Sequence, residues 1–315
     1  MTSLALKDLN KIPVRLASGH RLCAGCAESI IAKQILMGTE DHVAVSASTG
    51  CFEVSTTIFP YTAWNTPFIH TAFGNGAATC AGLETAYNAL KKKGKVEENI
   101  KFVNFAGDGA TYDIGLQALS GAMERGHRMM YVCLNNEAYM NTGIQRSSAT
   151  PTGASTTTSW AGSVSPGKKE FSKDMTEVMI AHNIPYVAQV SPHNWRDTVT
   201  KAQKGFAADG PSFINAISPC PRGWRFPSDE TISIAKLAVE TCVWPLYEVV
   251  DGQYSLTAES ARIASGKAEK KPIVDWINSQ GRFKHLQQEK GAPVVESIQA
   301  EVDRRWDRLV KLSDF

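Results

Sequence analysis

The chain has 315 residues, 43% of them hydrophobic and 20% charged, with a formal net charge of +2. That length suits one large α/β domain with a tail or two small domains, and the apolar fraction is enough for a sizeable core. A balance this close to neutral, without a run of like charges, speaks against a nucleic-acid-binding arm, and no segment approaches the roughly twenty apolar residues of a membrane span.

The opening stretch "MTSLALKDLNKIPVRL" lacks the apolar core of a secretory signal, so a cytoplasmic location is expected. Structural disulfides are rare in that compartment, and clustered cysteines there point to metal or redox chemistry. The seven cysteines stand at 23, 26, 51, 80, 133, 220 and 242, and the odd count is a further argument against a disulfide framework. Cys23 and Cys26 form a C-x₂-C in "GHRLCAGCAESI". The spacing alone admits a redox disulfide, a zinc site, an iron–sulfur cluster, or nothing.

Short apolar runs follow at 43–49, 101–107, 129–135, 186–190 and 212–218. They are rich in β-branched and aromatic residues and read as strands buried on both faces. Helical patterns lie between them. In "HNWRDTVTKAQKGFA", for example, Trp195, Val199, Ala202 and Phe206 share one face. The alternation predicts an α/β fold, a mainly parallel doubly wound sheet with helices on both sides. Residues 137–172 break the rhythm with a polar, Gly/Ser/Thr-rich stretch, which in a compact domain is either disordered or functional. Two units are expected: an α/β cofactor-binding domain over 1–218, and a segment over 219–315 that starts with Cys220 and ends as a helical arm packed on a partner subunit.

The most specific motif runs from Gly107 to Gly143. A strand ends in Gly107-Asp108-Gly109, a helix follows, and the next strand ends in Asn135-Asn136, which places Asn136 28 positions after Asp108. Parallel strands present their carboxyl ends at one edge, so Asp108 and Asn136 emerge together. A carboxylate, an amide oxygen and a backbone carbonyl are hard donors suited to Mg²⁺, and glycines let the backbone approach a diphosphate closely. Asp113, ahead of the helix, reads as an ordinary N-cap. The motif resembles the diphosphate-binding signature of thiamine diphosphate enzymes. That resemblance implies Mg²⁺ on Asp108, the Asn136 side chain and the Ala138 carbonyl. "GNGAATCAG" at 74–82 fails as a dinucleotide fingerprint, because Thr79 stands where a glycine is needed.

Cys51 and Cys220 each sit where a strand gives way to a loop. With Cys23 and Cys26 they make a complete thiolate set for a [4Fe–4S] cluster, whereas structural zinc more often uses two close pairs. Cys80, Cys133 and Cys242 read as small buried hydrophobes.

Together these stretches resemble the β subunit of 2-oxoacid:ferredoxin oxidoreductases, in the branch acting on pyruvate or oxalate. "GHRLCAGCAE", "STGCFEVSTTIFPYTAW", "GDGATYDIGLQ", "NNEAYMNTGIQRSSATPTG" and "AVETCVWPLYE" match that pattern in order, and the match grows vaguer after about residue 255. Ala27 departs from the glycine usual there. The resemblance implies thiamine diphosphate, Mg²⁺ and one [4Fe–4S] cluster, and an oxidative decarboxylation whose electrons leave through the cluster to ferredoxin. It implies coenzyme A as acetyl acceptor if the substrate is pyruvate, and none if it is oxalate. It also implies α/γ-type and two-cluster ferredoxin-like partner subunits. Asn141 and Thr142 would reach toward the reacting carbon or the substrate carboxylate, Asn141 as the catalytic hydrogen-bond donor. The family draws its cofactor-activating glutamate from a partner, and in the sequence Glu28 gives no sign of that duty, so the subunit is expected to be inactive alone. A non-redox thiamine diphosphate lyase subunit and a zinc-stabilised scaffold are the rival readings.

Overall fold

The structure is a computed structural model and describes residues 6–313. Its centre is one eight-stranded sheet of order β2-β1-β3-β4-β6-β5-β7-β8. The strands are β1 (His42–Ser48), β2 (Phe68–Thr71), β3 (Ile100–Gly107), β4 (Met130–Asn135), β5 (Tyr186–Val190), β6 (Ser212–Ile217), β7 (Tyr247–Val250) and β8 (Gln253–Leu256). The first six pair in parallel, while β7 joins β5, and β8 joins β7, in antiparallel fashion. This is the doubly wound α/β fold expected from the alternation of elements.

The central strands read as unbroken apolar runs because successive side chains point to opposite faces and both faces are covered. Along β4, Tyr131 and Cys133 enter one core with Cys80, Leu119 and Phe213, while Met130, Val132 and Leu134 enter the other with Ile31, Ala202 and Phe206. The helices Gly76–Lys92 and Leu116–Glu124 cover the first face, and Ala27–Leu36 and Trp195–Ala207 the second. Cys80, Cys133 and Cys242 are all buried in the first core.

Three strands escape a reading by apolar runs. β2, β7 and β8 have four residues each, and β2 and β8 are largely exposed. Asp251 and Gly252, which connect β7 to β8, both adopt positive φ (47° and 81°). Asp-Gly is a strong two-residue hairpin signal.

No break in the sheet marks the expected division at 218/219, since β7 and β8 extend it past β5. A third core of Trp224, Ile234, Trp276 and Phe283 fills the space beside them. The C-terminal helix Ala292–Leu312 lays Ile298, Trp306 and Leu309 against this chain's own cores. Trp306→Ala should therefore cost about 3 kcal/mol, the low end for a large aromatic lost from a core. The measurement is the urea midpoint of unfolding, and an unchanged midpoint would show that the helix does not rest on the body. The 137–172 stretch is laid over the sheet edge, with Ser147, Thr150, Ala154 and Lys168 buried. Among the described residues no helix is long and apolar enough to cross a membrane.

Candidate active site

From β1 the chain crosses to β2 on one side and returns as β3 on the other. Ligands of open α/β sheets bind in the crevice that such a reversal opens at the carboxyl ends of the strands. A cavity of about 250 Å³ lies there, lined by Gly50 and Cys51 after β1, Gly107 and Asp108 after β3, and Asn136 and Asn141 after β4.

Asp108 is completely buried. Its Oδ2 accepts a hydrogen bond from the Ser147 hydroxyl, while Oδ1 has no partner among the described residues. Burial pushes its carboxyl up to about 8, with the Ser147 bond pulling the other way. A Cβ added at Gly107 would meet nothing within 4 Å, so the backbone there opens straight into the cavity. Gly109 has a different reason to be glycine, because its Cβ would lie 2.4 Å from the Tyr139 ring.

Asp108 leads into a π-helical turn, Gly109–Ile114, a geometry concentrated at functional sites. The turn corrects the N-cap expectation for Asp113. The helix Leu116–Glu124 begins only after Gly115, and Asp113 Oδ2 instead accepts from the Tyr139 hydroxyl (2.8 Å) and the Ser148 N–H (3.1 Å). Asp113 ties the 137–148 loop to the motif. Spacing cannot distinguish that role from a cap.

Asn136 is held from three sides. Its Nδ2 donates to Glu28 Oε1 at 3.0 Å, its carbonyl accepts from Trp224 Nε1 at 2.8 Å, and its Oδ1 faces the Ala138 N–H at 3.4 Å. Glu137, between the two, takes a positive φ of 66°. Ala138 is buried beside it. Asn141 and Thr142 stand exposed on the cavity rim, where the Thr142 hydroxyl donates to Gln145 Oε1.

Glu28 is the residue that sequence reasoning passed over. It lies buried in the first turn of Ala27–Leu36 and lines the same cavity, and its Oε2 has no partner among the described residues. Burial raises its carboxyl to about 7, against the pull of hydrogen bonds from Asn136 and from the Cys26 thiol. Its one signal in the sequence is a carboxylate two residues after a cysteine at the start of an apolar helix. Ala27 opens that helix, so the position needs no positive φ and alanine is unstrained.

Cys23 and Cys26 close a tight turn, with the Cys26 N–H on the Cys23 carbonyl at 3.0 Å. Gly25, at φ +75°, is pressed so close to Ser228 that a Cβ would lie 2.2 Å from its carbonyl oxygen. Cys51 opens the helix Cys51–Thr56 after β1, and Cys220 directly precedes the turn Pro221–Arg225 after β6. Burial raises the Cys26 and Cys220 thiols and takes Cys51 up to about 12. Glu28 and the other cysteines add to the effect: Cys26 responds to Cys51 and Cys220, Cys51 to Cys23 and Cys220, and Cys220 to Cys23. The four thiols therefore lie within range of one another's charge. Asn141 lines the same cavity as Cys51, and the Gly223 N–H reaches Cys220 Sγ at 3.4 Å.

Among the described residues no three His, Cys, Asp or Glu side chains are gathered tightly enough to hold one metal ion. Tetrahedral zinc with bonds of about 2.3 Å would draw its thiolates to about 3.8 Å from one another. A cube of iron and sulfide keeps its thiolates farther apart.

Residues 48–216 match the C-terminal TPP-binding domain of thiamine pyrophosphate enzymes. Over 314 residues the chain is 46% identical to the pyruvate synthase subunit PorB of Thermotoga maritima, covering 98% of this chain and 95% of that protein. The chain belongs to the 2-oxoacid:ferredoxin oxidoreductase β-subunit family. PorB of Methanocaldococcus jannaschii is 46% identical over 295 residues (93% of this chain, 95% of that one). The ketoisovalerate oxidoreductase subunit VorB of Pyrococcus horikoshii is 42% identical over 297 residues (94% and 93%). The fold is shared with the 2-oxoglutarate:ferredoxin oxidoreductase of Magnetococcus marinus, at TM-score 0.55 and 20% identity over 76% of this chain and 81% of that one. The matched segment 48–216 holds Cys51, Asp108 and Asn136, so in this family member the Cys23–Cys26 turn and Cys220 flank the cofactor domain from outside it.

Proposed function

We propose that this chain is the cofactor-binding subunit of a pyruvate:ferredoxin oxidoreductase, with thiamine diphosphate and Mg²⁺ at the β1/β3/β4 crevice and one [4Fe–4S] cluster on Cys23, Cys26, Cys51 and Cys220. One observation carries the reading. A buried carboxylate oxygen of Asp108, without a donor among the described residues, faces a crevice that Cys51 and Glu28 also line, and Glu28 is hydrogen-bonded to Asn136 and lies two residues from Cys26. Such an oxygen is costly to bury unless a cation or donor meets it. The residues present therefore fit a divalent cation, with Asp108, the Asn136 amide oxygen and the Ala138 carbonyl as its ligands. Pyruvate is the substrate named by the PorB relatives.

Bound thiamine diphosphate supplies the electron sink for decarboxylation, and a cluster supplies a one-electron outlet. The chain's own residues bind and orient. Asp108 and Asn136 hold the metal, Ser147 fixes the Asp108 carboxylate, and Glu28 fixes the Asn136 amide. The open space at Gly107 admits a diphosphate. Phe52, Phe73, Phe105 and Met140 exclude water from the cavity floor. Asn141, on the rim of the cavity that Cys51 also lines, would serve as a hydrogen-bond donor to the substrate. A cavity of about 250 Å³ falls below the roughly 300–1,000 Å³ of a complete ligand pocket, in keeping with a cofactor shared with a partner subunit that brings the activating glutamate.

The test is an anaerobic assay of the assembled complex with pyruvate, oxalate and 2-ketoisovalerate, each with and without coenzyme A and with ferredoxin as acceptor. Ferredoxin reduction that requires both pyruvate and coenzyme A is expected, together with a visible absorption bleached by dithionite. Turnover with oxalate and no coenzyme A would move the chain to the other branch. A colourless complex without iron would end the redox reading.

A further inference from the structure

We propose that Arg282, far from the motifs in sequence, is a positioning residue that locks the metal-binding loop 136–138 to the cysteine-bearing turn 220–226; this rests on the functional reading above. Arg282 lies in the 3₁₀ turn Gly281–Gln287 and is 3% exposed. Its guanidinium stacks 3.9 Å above the Trp224 ring, with Phe283 at 5.0 Å and Trp276 at 5.4 Å completing an aromatic cage. One end donates to Glu137 Oε2, while Nε donates to Gln280 Oε1 at 2.8 Å.

Two of the groups that Arg282 touches, Trp224 and Glu137, act on the loop. Trp224 is fully buried, and its Nε1–H holds the Asn136 carbonyl. Glu137 is buried in a left-handed conformation that disfavours a long side chain, and such a conformation persists only where the surroundings over-determine it. Three contacts supply that: the Thr150 hydroxyl on the Glu137 carbonyl at 2.6 Å, the Glu137 N–H on Asn135 Oδ1 at 3.1 Å, and the Arg282 guanidinium on its carboxylate. The planar fork matters, because it pairs with a carboxylate in its plane and stacks on an indole with its face; an ammonium does neither as well. The kink therefore sits between the two proposed metal ligands of this loop, Asn136 and Ala138, and is braced by the turn that follows Cys220. Met140 and Gly223 add a steric contact between the same two segments, where a Cβ at Gly223 would lie 2.3 Å from the Met140 sulfur.

Groups that orient metal ligands typically change affinity by roughly ten- to a hundredfold when removed. In the assembled complex stripped of cofactor, Arg282→Met is expected to raise the Kd for thiamine diphosphate at fixed Mg²⁺ by about tenfold or more. Arg282→Lys should fall between it and the unaltered protein. Trp224→Phe, which removes the donor to Asn136 and leaves a smaller ring under the guanidinium, should raise the Kd by about threefold or more. Glu137→Gln combined with Arg282→Met should be no worse than Arg282→Met alone, because both changes break one contact. Calorimetric titration reads the Kd, and near-ultraviolet circular dichroism reports folding. If Arg282→Met does not fold, the lysine and Trp224→Phe variants decide the matter. Folded variants whose Kd stays within twofold of the unaltered protein, whatever their melting temperature, overturn the inference alone. An unaltered complex that binds no thiamine diphosphate in Mg²⁺ overturns the functional reading, and this inference with it.

Discussion

Asp108→Asn is expected to lower pyruvate turnover by the assembled complex at least about a thousandfold and to weaken Mg²⁺-dependent thiamine diphosphate binding in proportion. The size follows from position in the site. Losing a group that merely orients a ligand costs roughly ten- to a hundredfold, and Asp108 is itself the ligand, so its loss costs more. It is also the charged member of the proposed set, beside the neutral Asn136 amide and Ala138 carbonyl. Asparagine keeps the volume and one oxygen but not the negative charge.

The same substitution should act on stability with the opposite sign. Asp108 is fully buried with one oxygen bonded to Ser147 and the other to none of the described residues, an arrangement that costs folding free energy in the absence of a cation. The cofactor-free Asp108→Asn protein is therefore expected to melt at the same temperature as the unaltered one, or higher. A residue kept for function and not for the fold shows this opposition. Thiamine diphosphate binding within threefold of normal in the variant would show that the cation is held elsewhere.

How much of this was legible in the sequence divides along physical lines. The central strands were, because burial on both faces forces an unbroken apolar run, as in "MMYVCLN" over β4. The edge strands β2 and β8 were not, since an exposed strand needs no such run. Asp108 and Asn136 were legible because the chemistry they suit requires fixed residue types at the ends of neighbouring strands. Glu28 and Arg282 were not. Each is a single charged residue whose meaning comes from what it meets: Asn136, 108 positions away along the chain, for one, and Glu137, 145 positions away, together with Trp224 for the other. Ser147 lay inside a polar stretch that could equally have been disordered. What separates it from its neighbours is the Asp108 carboxylate across the crevice, a contact that only the fold creates.

The cysteines offer the other large effect, and a control within the same chain. Cys23 is exposed and Cys220 half-buried, so serine at either position disturbs little packing. If Cys23, Cys26, Cys51 and Cys220 hold a cluster, Cys23→Ser and Cys220→Ser should each lower the iron content of the anaerobically purified complex by one cluster and reduce its dithionite-sensitive visible absorption in proportion. Pyruvate-dependent ferredoxin reduction should fall at least about a hundredfold, because the electrons lose their outlet. Thiamine diphosphate binding should stay within about threefold, since neither side chain touches Asp108 or Asn136. Cys80→Ser makes the complementary change. It puts a hydroxyl into the fully buried core under the helix Gly76–Lys92, which should cost about 1–3 kcal/mol of stability and leave iron and colour intact. The two patterns cannot be exchanged by a general weakening of the fold. Loss of iron at 23 and 220, with no more destabilisation than the missing cluster accounts for, against loss of stability with iron intact at 80, separates ligands from packing. Iron retained in full by both outer variants would remove the cluster from this subunit and leave a thiamine diphosphate site whose electrons go elsewhere.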